Sequence, residues 1–415
     1  MDFVSPKVSP GADPVDEWYR YYAGYSAAFV EHALAQAAPD ASVVLDPWNG
    51  TGTTTVVAAS RQVGAFGFDI NPAMVVVARA RLLGAGVWAS IKALGDDVVD
   101  HAAPADEAGD PLRFWFTDQS AAAIRGLQTS VHRLLVDSGT SAYPALGTVS
   151  RMSTLAAFFY TVLFRTVRIL IAPTAGTNPT WWKRLPDQKR LAPEYETIIE
   201  RFRSSAVELA EGLHRANFGV HVDTIVNIGN SRKLLIPDHS VDAVISSPPY
   251  CSRIDYGIST RPELAILGAE EAAIKGLRDA MVGTPTVTGE HGTGELWGPM
   301  ATAFLTKVTE HESKASRGYY SKYFRQYYSA MWSSLGELRR VTRPGGPVVL
   351  VVQDNHYKDL HNDTPGILIE MSQRQGFSDA ARYDFSVART KASMNPRARQ
   401  YRASATAVES VLVLR

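Results

Sequence analysis

Apolar residues along this chain fall into two patterns. Short unbroken runs, Val43–Leu45 in "SVVLDPW" and the stretch "AFGFD" ending at Asp69, each meet a turn and then a segment with helical spacing, "TTTVVAASRQ" and "PAMVVVARARLL". Brief apolar runs bounded by turn residues read as buried strands. Two strand–turn–helix units in succession predict a parallel, doubly wound sheet. Upstream, Trp18–Ala38 reads as an aromatic loop leading into an amphipathic helix. The alternation stops near Ala85. As far as Arg215 the text is mostly helical, as in Arg151–Leu170, and is broken by the Pro-, Gly- and Trp-bearing stretch Ala172–Arg190.

Strand signals return at "VHVDTIVNIGN" and "VDAVISS", and Ser259–Arg317 reads as irregular. A helix "YYSKYFRQYYSAMWSSLGELRR" then runs into the strand "PVVLVVQ". A further helix, "TPGILIEMSQRQGF", precedes "DFSV" and "ATAVESVLVL", which read as closing antiparallel strands. The expectation is one α/β core interrupted twice. An N-terminal arm and the first half of the core occupy 1–84, and a mainly helical insertion 85–215. The core resumes over 216–258, a second insertion spans 259–318, and the rest of the core fills 319–415. Ligands of open α/β sheets bind outside the carboxyl ends of the strands, where Asp46, Asp69, Asn230 and Ser247 all fall.

Composition narrows the class without choosing within it. The 415 residues are 45% hydrophobic and 20% charged, with Lys+Arg and Asp+Glu balanced at 42 each, so no global field attracts polyanions. Any nucleic-acid contact must come from local clusters of cations. The single cysteine, Cys251, excludes an internal disulfide and a Cys-cluster zinc site. The N-terminal stretch has no apolar h-region, and no run reads as long enough to span a bilayer, so the expectation is a cytoplasmic protein that uses neither membrane nor metal.

Two stretches carry chemistry. In "LDPWNGTGTTT", Gly50 and Gly52 follow a strand and precede a helix, where glycine permits a sharp turn and close approach to a ligand. An ordinary strand–helix turn has the same look. Asp69 closes the next strand, where a carboxylate can accept both hydroxyls of a ribose or, equally well, cap the helix after Asn71-Pro72. Turn and acid together at one βαβ spacing favour a nucleoside cofactor. The second stretch is "VDAVISSPPYCSRIDYG". Pro248 and Pro249 cannot donate to a ladder and each fixes its own φ, so the chain leaves the sheet as a stiff arm tipped by Tyr250.

Asp-Pro-x-x-Gly-x-Gly-Thr-Thr at Asp46–Thr54, the strand end at Asp69 and Ser-Pro-Pro-Tyr at Ser247–Tyr250 together resemble the S-adenosylmethionine-dependent amino-methyltransferases of DNA. The resemblance covers residues 18–84, 218–257 and 319–415. It implies a Rossmann-like, seven-stranded methyltransferase core with two insertions, and S-adenosylmethionine as cofactor. Asp46, Pro47, Gly50, Gly52, Thr53 and Asp69 would bind that cofactor, with Asn230 near the adenine. Tyr22 and Ser26 of "YYAGYS" match the family's methionine-binding loop. In the arm, Ser247 Oγ and the Pro248 carbonyl would accept the amino hydrogens of the target base, Pro249 would hold them still, and Tyr250 would stack on the base once flipped from the helix.

A leading Ser leans toward cytosine N4, where adenine-N6 enzymes more often carry Asp or Asn. Arg253, Asp255 and Tyr256 could line the base pocket, or form a local ion pair and a surface aromatic. In "NPTWWKRLPDQKR", Lys183 and Arg184 are candidates for phosphate contact, with Trp181 or Trp182 to stack; the alternative is a solvated basic loop with its tryptophans packed into a helical subdomain. The acid-free run "ARTKASMNPRARQYRAS" brings Arg397 and Arg399 between the closing strands. The expected substrate is double-stranded DNA, with a restriction or defence partner. A DNA adenine-N6 methyltransferase, a tRNA or other RNA guanosine-N2 methyltransferase and a non-catalytic nucleic-acid-binding regulator on the same fold are the alternatives.

Overall fold

The computed structural model describes residues 3–7, 18–19, 24–137, 146–176, 181–216, 223–289, 292, 295–387 and 407–415. Seven strands form one sheet. β1 (Val43–Asp46), β2 (Gly64–Asp69), β3 (Thr224–Ile228), β4 (Ala243–Ser246) and β5 (Val348–Gln353) run parallel. A short antiparallel hairpin, β6 (Asn355–Tyr357) with β7 (Leu360–Asn362), stands outside that sheet. β8 (Ala380–Val387) and β9 (Ala407–Leu414) complete it, with β9 antiparallel to both β5 and β8. The order β3-β2-β1-β4-β5-β9-β8 is that of a Rossmann-like methyltransferase core. From β1 the chain winds outward through β2 to β3, then returns to β4 on the other side. The switch point therefore lies between β1 and β4, where such sheets open a crevice.

The central parallel strands β1, β4 and β5 are buried on both faces, which is why they read as continuous apolar runs, whereas the edge strand β3 exposes Ile225 and Ile228. Val44, Ile245, Val349 and Val351 pack against α1 (Ala27–Ala37) and α2 (Thr53–Ser60). Leu45, Val244, Leu350 and Leu412 face the other way.

α3 (Pro72–Ala80) carries the chain into a third body: α4 (Trp88–Asp100), α5 (Asp118–Leu135), α6 (Thr154–Ile171) and α7 (Tyr195–Ala216). α6 sits at its centre. Thr154–Thr174 is apolar enough, at a mean hydropathy of 1.7, to satisfy a membrane-span criterion, which corrects the sequence reading that no run does. Two-thirds of that stretch is buried inside the fold, Phe158, Phe159 and Phe164 completely, as in the central helix of a helical core.

The stretch 259–317 is also corrected, because it is largely helical. α8 (Tyr256–Ser259), α9 (Arg261–Ile266), α10 (Glu271–Ala280) and α11 (Pro299–Glu310) lie there, before α12 (Ser321–Val341) and α13 (Thr364–Arg374). Its Gly/Thr-rich centre hid the helices on either side. α9 joins the helical body through a buried ion pair. Arg125 of α5 holds Asp110 with two bonds of 2.8 and 2.9 Å and donates to the carbonyls of Ala265 and Ile266. Arg168 of α6 makes a second joint, to Glu263, the Ser259 carbonyl and the Tyr19 hydroxyl.

Candidate active site

The carboxyl ends of β1, β2, β3 and β4 surround a cleft of about 700 Å³, counting its open mouth. Beneath it lies a buried polar knot. Asp46, 2% exposed, accepts from the Ser246 hydroxyl, from Trp48 N at 3.1 Å and from the Tyr25 hydroxyl at 3.0 Å. That same hydroxyl is hydrogen-bonded to Thr54 and lies 3.3 Å from the Ile245 carbonyl, to which the Thr54 hydroxyl is also close, at 3.2 Å. Burial raises the Asp46 pKa, against the pull of these bonds. Asp46 is thus saturated from below and holds β1 to β4 instead of facing the cleft.

The glycine turn needs its glycines. Gly50 has φ 48° and Gly52 φ 87°, both left-handed, and a Cβ on Gly52 would stand 2.8 Å from the Cβ of Ala78. Gly52→Ala should therefore cost about 1–3 kcal/mol, from positive-φ strain and overpacking against α3. Urea denaturation of the variant checks this.

Asp69 is the turn's anchor. Its Oδ2 accepts from Gly50 N at 2.9 Å and its Oδ1 from Asn71 N at 2.8 Å. The capping role belongs to Asn71, whose Oδ1 accepts from Ala73 N. Burial pushes the Asp69 carboxyl up to about 6, the two backbone donors pulling the other way.

The arm is held at more points than its prolines alone would give. Ser247 Oγ donates to the Val351 carbonyl at 3.0 Å, which leaves its lone pairs free to accept. Tyr327 of α12 donates to the Pro249 carbonyl, Asn355 to the Cys251 carbonyl, and the Tyr250 hydroxyl donates to Glu409 at 2.7 Å. Among the described residues the Pro248 carbonyl accepts no hydrogen bond. Two acceptors thus line the same cleft as the Asp69 carboxylate, whereas Gly50 and Gly52 are not among the residues that line it.

Of the residues singled out in the sequence, Pro47, Asp69, Asn230, Ser247, Pro248, Pro249, Tyr250 and Tyr256 line this one cleft. Asn230 Oδ1 is taken up by Arg232, accepting from its N at 3.0 Å, so its amide NH2 is the group left to offer. Tyr256 lies close enough to Asp69 for that charge to help burial raise its phenol pKa. Thr53 opens α2 behind the turn, with Arg81 at 3.4 Å from its hydroxyl.

Other expectations fall elsewhere. Ser26 is not in the cleft wall, because its hydroxyl caps α1 by accepting from Phe29 N. Arg253 does not pair with Asp255. Its guanidinium rests over Tyr319 and Tyr320, at 5.2 and 5.1 Å, while Asp255 is bound by Arg278 at 2.6 Å. Arg184 stacks on Phe114 at 3.7 Å and pairs with Glu271, and the Lys183 carbonyl accepts from the Trp115 indole. Trp182 is buried beneath Arg168, whereas Trp181 is 42% exposed. Tyr22, Arg397 and Arg399 lie outside the described residues.

Sequence reasoning missed the wall formed by Ala280, Met281 and Val282, which follows α10 and carries no motif. It also missed Trp48, a cleft residue whose Nε1 is buried without a partner among the described residues.

Over 293 residues, 65% of this chain, the sequence is 22% identical to the Type II methyltransferase M.BsoBI of Geobacillus stearothermophilus, 55% of which is covered. Over 149 residues, 33% of the chain, it is 26% identical to the Type II methyltransferase M.AvaI of Nostoc sp. (strain PCC 7120), 31% of which is covered. The chain therefore spans about half the length of the first relative and about a third of the second. No protein-family model and no solved structure matches it.

Proposed function

We propose that this protein transfers a methyl group from S-adenosylmethionine to an exocyclic amino group of a base in double-stranded DNA, with cytosine N4 as the acceptor. One observation carries the reading: two fixed acceptors, Ser247 Oγ and the Pro248 carbonyl, share a cleft with the Asp69 carboxylate, to which the glycine turn is pinned through Gly50 N. Similarity to Type II methyltransferases supports DNA as the substrate, and the leading Ser of the arm favours cytosine.

The residues present fit the cofactor. Each Asp69 oxygen spends one lone pair on the backbone and keeps others for ribose hydroxyls, and the Trp48 indole offers an unused donor. When bound, the cofactor supplies an electrophilic methyl on a sulfonium centre. The chain's own part is to make the acceptor nitrogen nucleophilic. An exocyclic amine is weak because its lone pair is delocalised into the ring. Hydrogen bonds from both N–H groups to Ser247 Oγ and Pro248 O draw the nitrogen toward a pyramidal geometry, and their fixed positions remove the cost of organising them during reaction. The Tyr250 ring forms the stacking wall for the displaced base.

Asp69 gives this proposal a pH signature. Ribose hydroxyls donate best to the ionised carboxylate, and that form prevails above about 6. Affinity for S-adenosylmethionine is therefore expected to plateau near neutral pH and to weaken toward tenfold per unit below about pH 6. The stability term has the opposite sign. A carboxyl whose folded pKa lies above its unfolded value of 3.8 favours the fold most at low pH, and that contribution falls as pH rises to about 6. Calorimetric titration from pH 5 to 8 checks the binding. Asp69→Ala should bind roughly tenfold or more weakly and lose the pH dependence, since a hydrogen bond to a charged group is worth about 1.5–3 kcal/mol. Unchanged binding in a folded variant would remove Asp69 from the cofactor site.

A further inference from the structure

Glu409 belongs to none of the motifs. It lies on β9, opposite Gln353 of β5 and Phe385 of β8, and its Oε1 accepts the Tyr250 hydroxyl at 2.7 Å. Its Oε2 is buried and has no partner among the described residues. Burying a carboxylate that is only half satisfied is costly, and packing alone would be met by an apolar residue against a phenylalanine. Burial raises the carboxyl pKa, while the bond from Tyr250 and the positive charge of Lys7 lower it. The Tyr250 phenol is raised well above its usual range by burial and by this same carboxylate, so the hydroxyl stays a donor throughout the working pH range.

The geometry defines what that bond does. Tyr250 is fixed at its root by the prolines and by the Tyr327 bond to Pro249 O. A tyrosine ring held only at its root still rotates about two side-chain torsions. Glu409 holds the other end. With both ends tied, the ring becomes a wall in one plane beside Ser247 Oγ, which is itself bonded to the neighbouring strand β5.

We propose that Glu409 is a positioning residue for methyl transfer: by accepting the Tyr250 hydroxyl it sets the plane against which the displaced base stacks. The proposal rests on the reading of Tyr250 as the stacking wall.

The test compares wild type, Glu409→Ala, Glu409→Gln and Tyr250→Phe. Each is assayed with tritiated S-adenosylmethionine on unmethylated bacteriophage double-stranded DNA and by calorimetric cofactor binding. In parallel, 3-fluorotyrosine placed at position 250 is followed by fluorine NMR in the wild-type and Glu409 proteins. Glu409→Ala is expected to keep its cofactor affinity and to lose roughly ten- to 150-fold in kcat, the range of one hydrogen bond to a charged group. Glu409→Gln keeps an acceptor for the hydroxyl and should recover most of that loss. In the Tyr250→Phe background, Glu409→Ala should cost nothing further. The fluorine resonance should be single and narrow in wild type and Glu409→Gln, and shifted or broadened in Glu409→Ala. Wild-type turnover with an unmoved resonance in Glu409→Ala overturns the proposal. Equal impairment of Glu409→Gln and Glu409→Ala also overturns it. If wild type methylates no DNA, the functional reading fails separately, and the resonance still decides whether Glu409 holds the ring.

Discussion

Arg125→Ala is expected to lower the stability of the protein by about 3–5 kcal/mol, the usual cost of removing one partner from a buried ion pair. Arg125 and Asp110 are 1% and 2% exposed in their side chains, and the arginine also satisfies the carbonyls of Ala265 and Ile266. The substitution strips a buried carboxylate of its charged partner, leaving it the Leu112 N–H, and removes a donor from two carbonyls, of which only that of Ala265 keeps another among the described residues, from Gly268 N. Against a typical total stability of about 5–15 kcal/mol, the loss should be plain in urea denaturation. Because the bonds to Ala265 and Ile266 tie the helical body to the segment that walls the cleft, cofactor binding should weaken in the same variant. Arg203→Ala is the control. Its ion pair with Asp96 is exposed on both sides and should contribute little.

The arm gives the second large effect. Ser247→Ala should reduce kcat on the order of 10²-fold while leaving cofactor and DNA affinity nearly unchanged, because the lost acceptor acts as the nitrogen becomes nucleophilic. Tyr250→Ala should differ in kind. It removes a stacking surface worth ~1–3 kcal/mol, and so weakens productive DNA binding while cofactor affinity stays intact. Single-turnover rates on saturating DNA, set beside calorimetric affinities, separate the two. Variants that methylate DNA at the wild-type rate would dispose of the proposed mechanism.

Legibility followed the range of the interaction. β1 and β2 were readable as short apolar runs that end at a turn, and Gly50, Gly52, Asp69 and Ser247–Tyr250 because each belongs to a short motif local to its own turn. Glu409 could not be read this way. It is an acid in an apolar strand, and its role exists only through Tyr250, 159 residues away. Ala280–Val282 are ordinary wall residues placed by α10, and nothing in their types marks a ligand. The region 259–317 misled for a different reason: its glycines and threonines set the local tone, while α9 and α11 are stabilised by distant contacts through Leu264, Ile266, Phe304 and Leu305. The local ion pair of Arg253 with Asp255, one of the two readings of that stretch, does not form, because tertiary partners, the tyrosines of α12's approach and Arg278, outcompete a neighbour two residues away.

The knot beneath the cleft also sets a schedule for the nascent chain. Asp46 waits for Ser246 across 200 residues, and Tyr25 for the Ile245 carbonyl across 220. At a synthesis rate of about 5–20 residues per second, β1 leaves the ribosome on the order of 10–40 s before the strand that completes its floor. In that interval α3 to α7 can already bury the aromatic face of α6 against one another. The helical body can therefore come first, and the floor beneath the cleft closes only when β4 docks beside β1, before β5 has been made, so translation rate through the middle of the gene bears directly on when that floor forms.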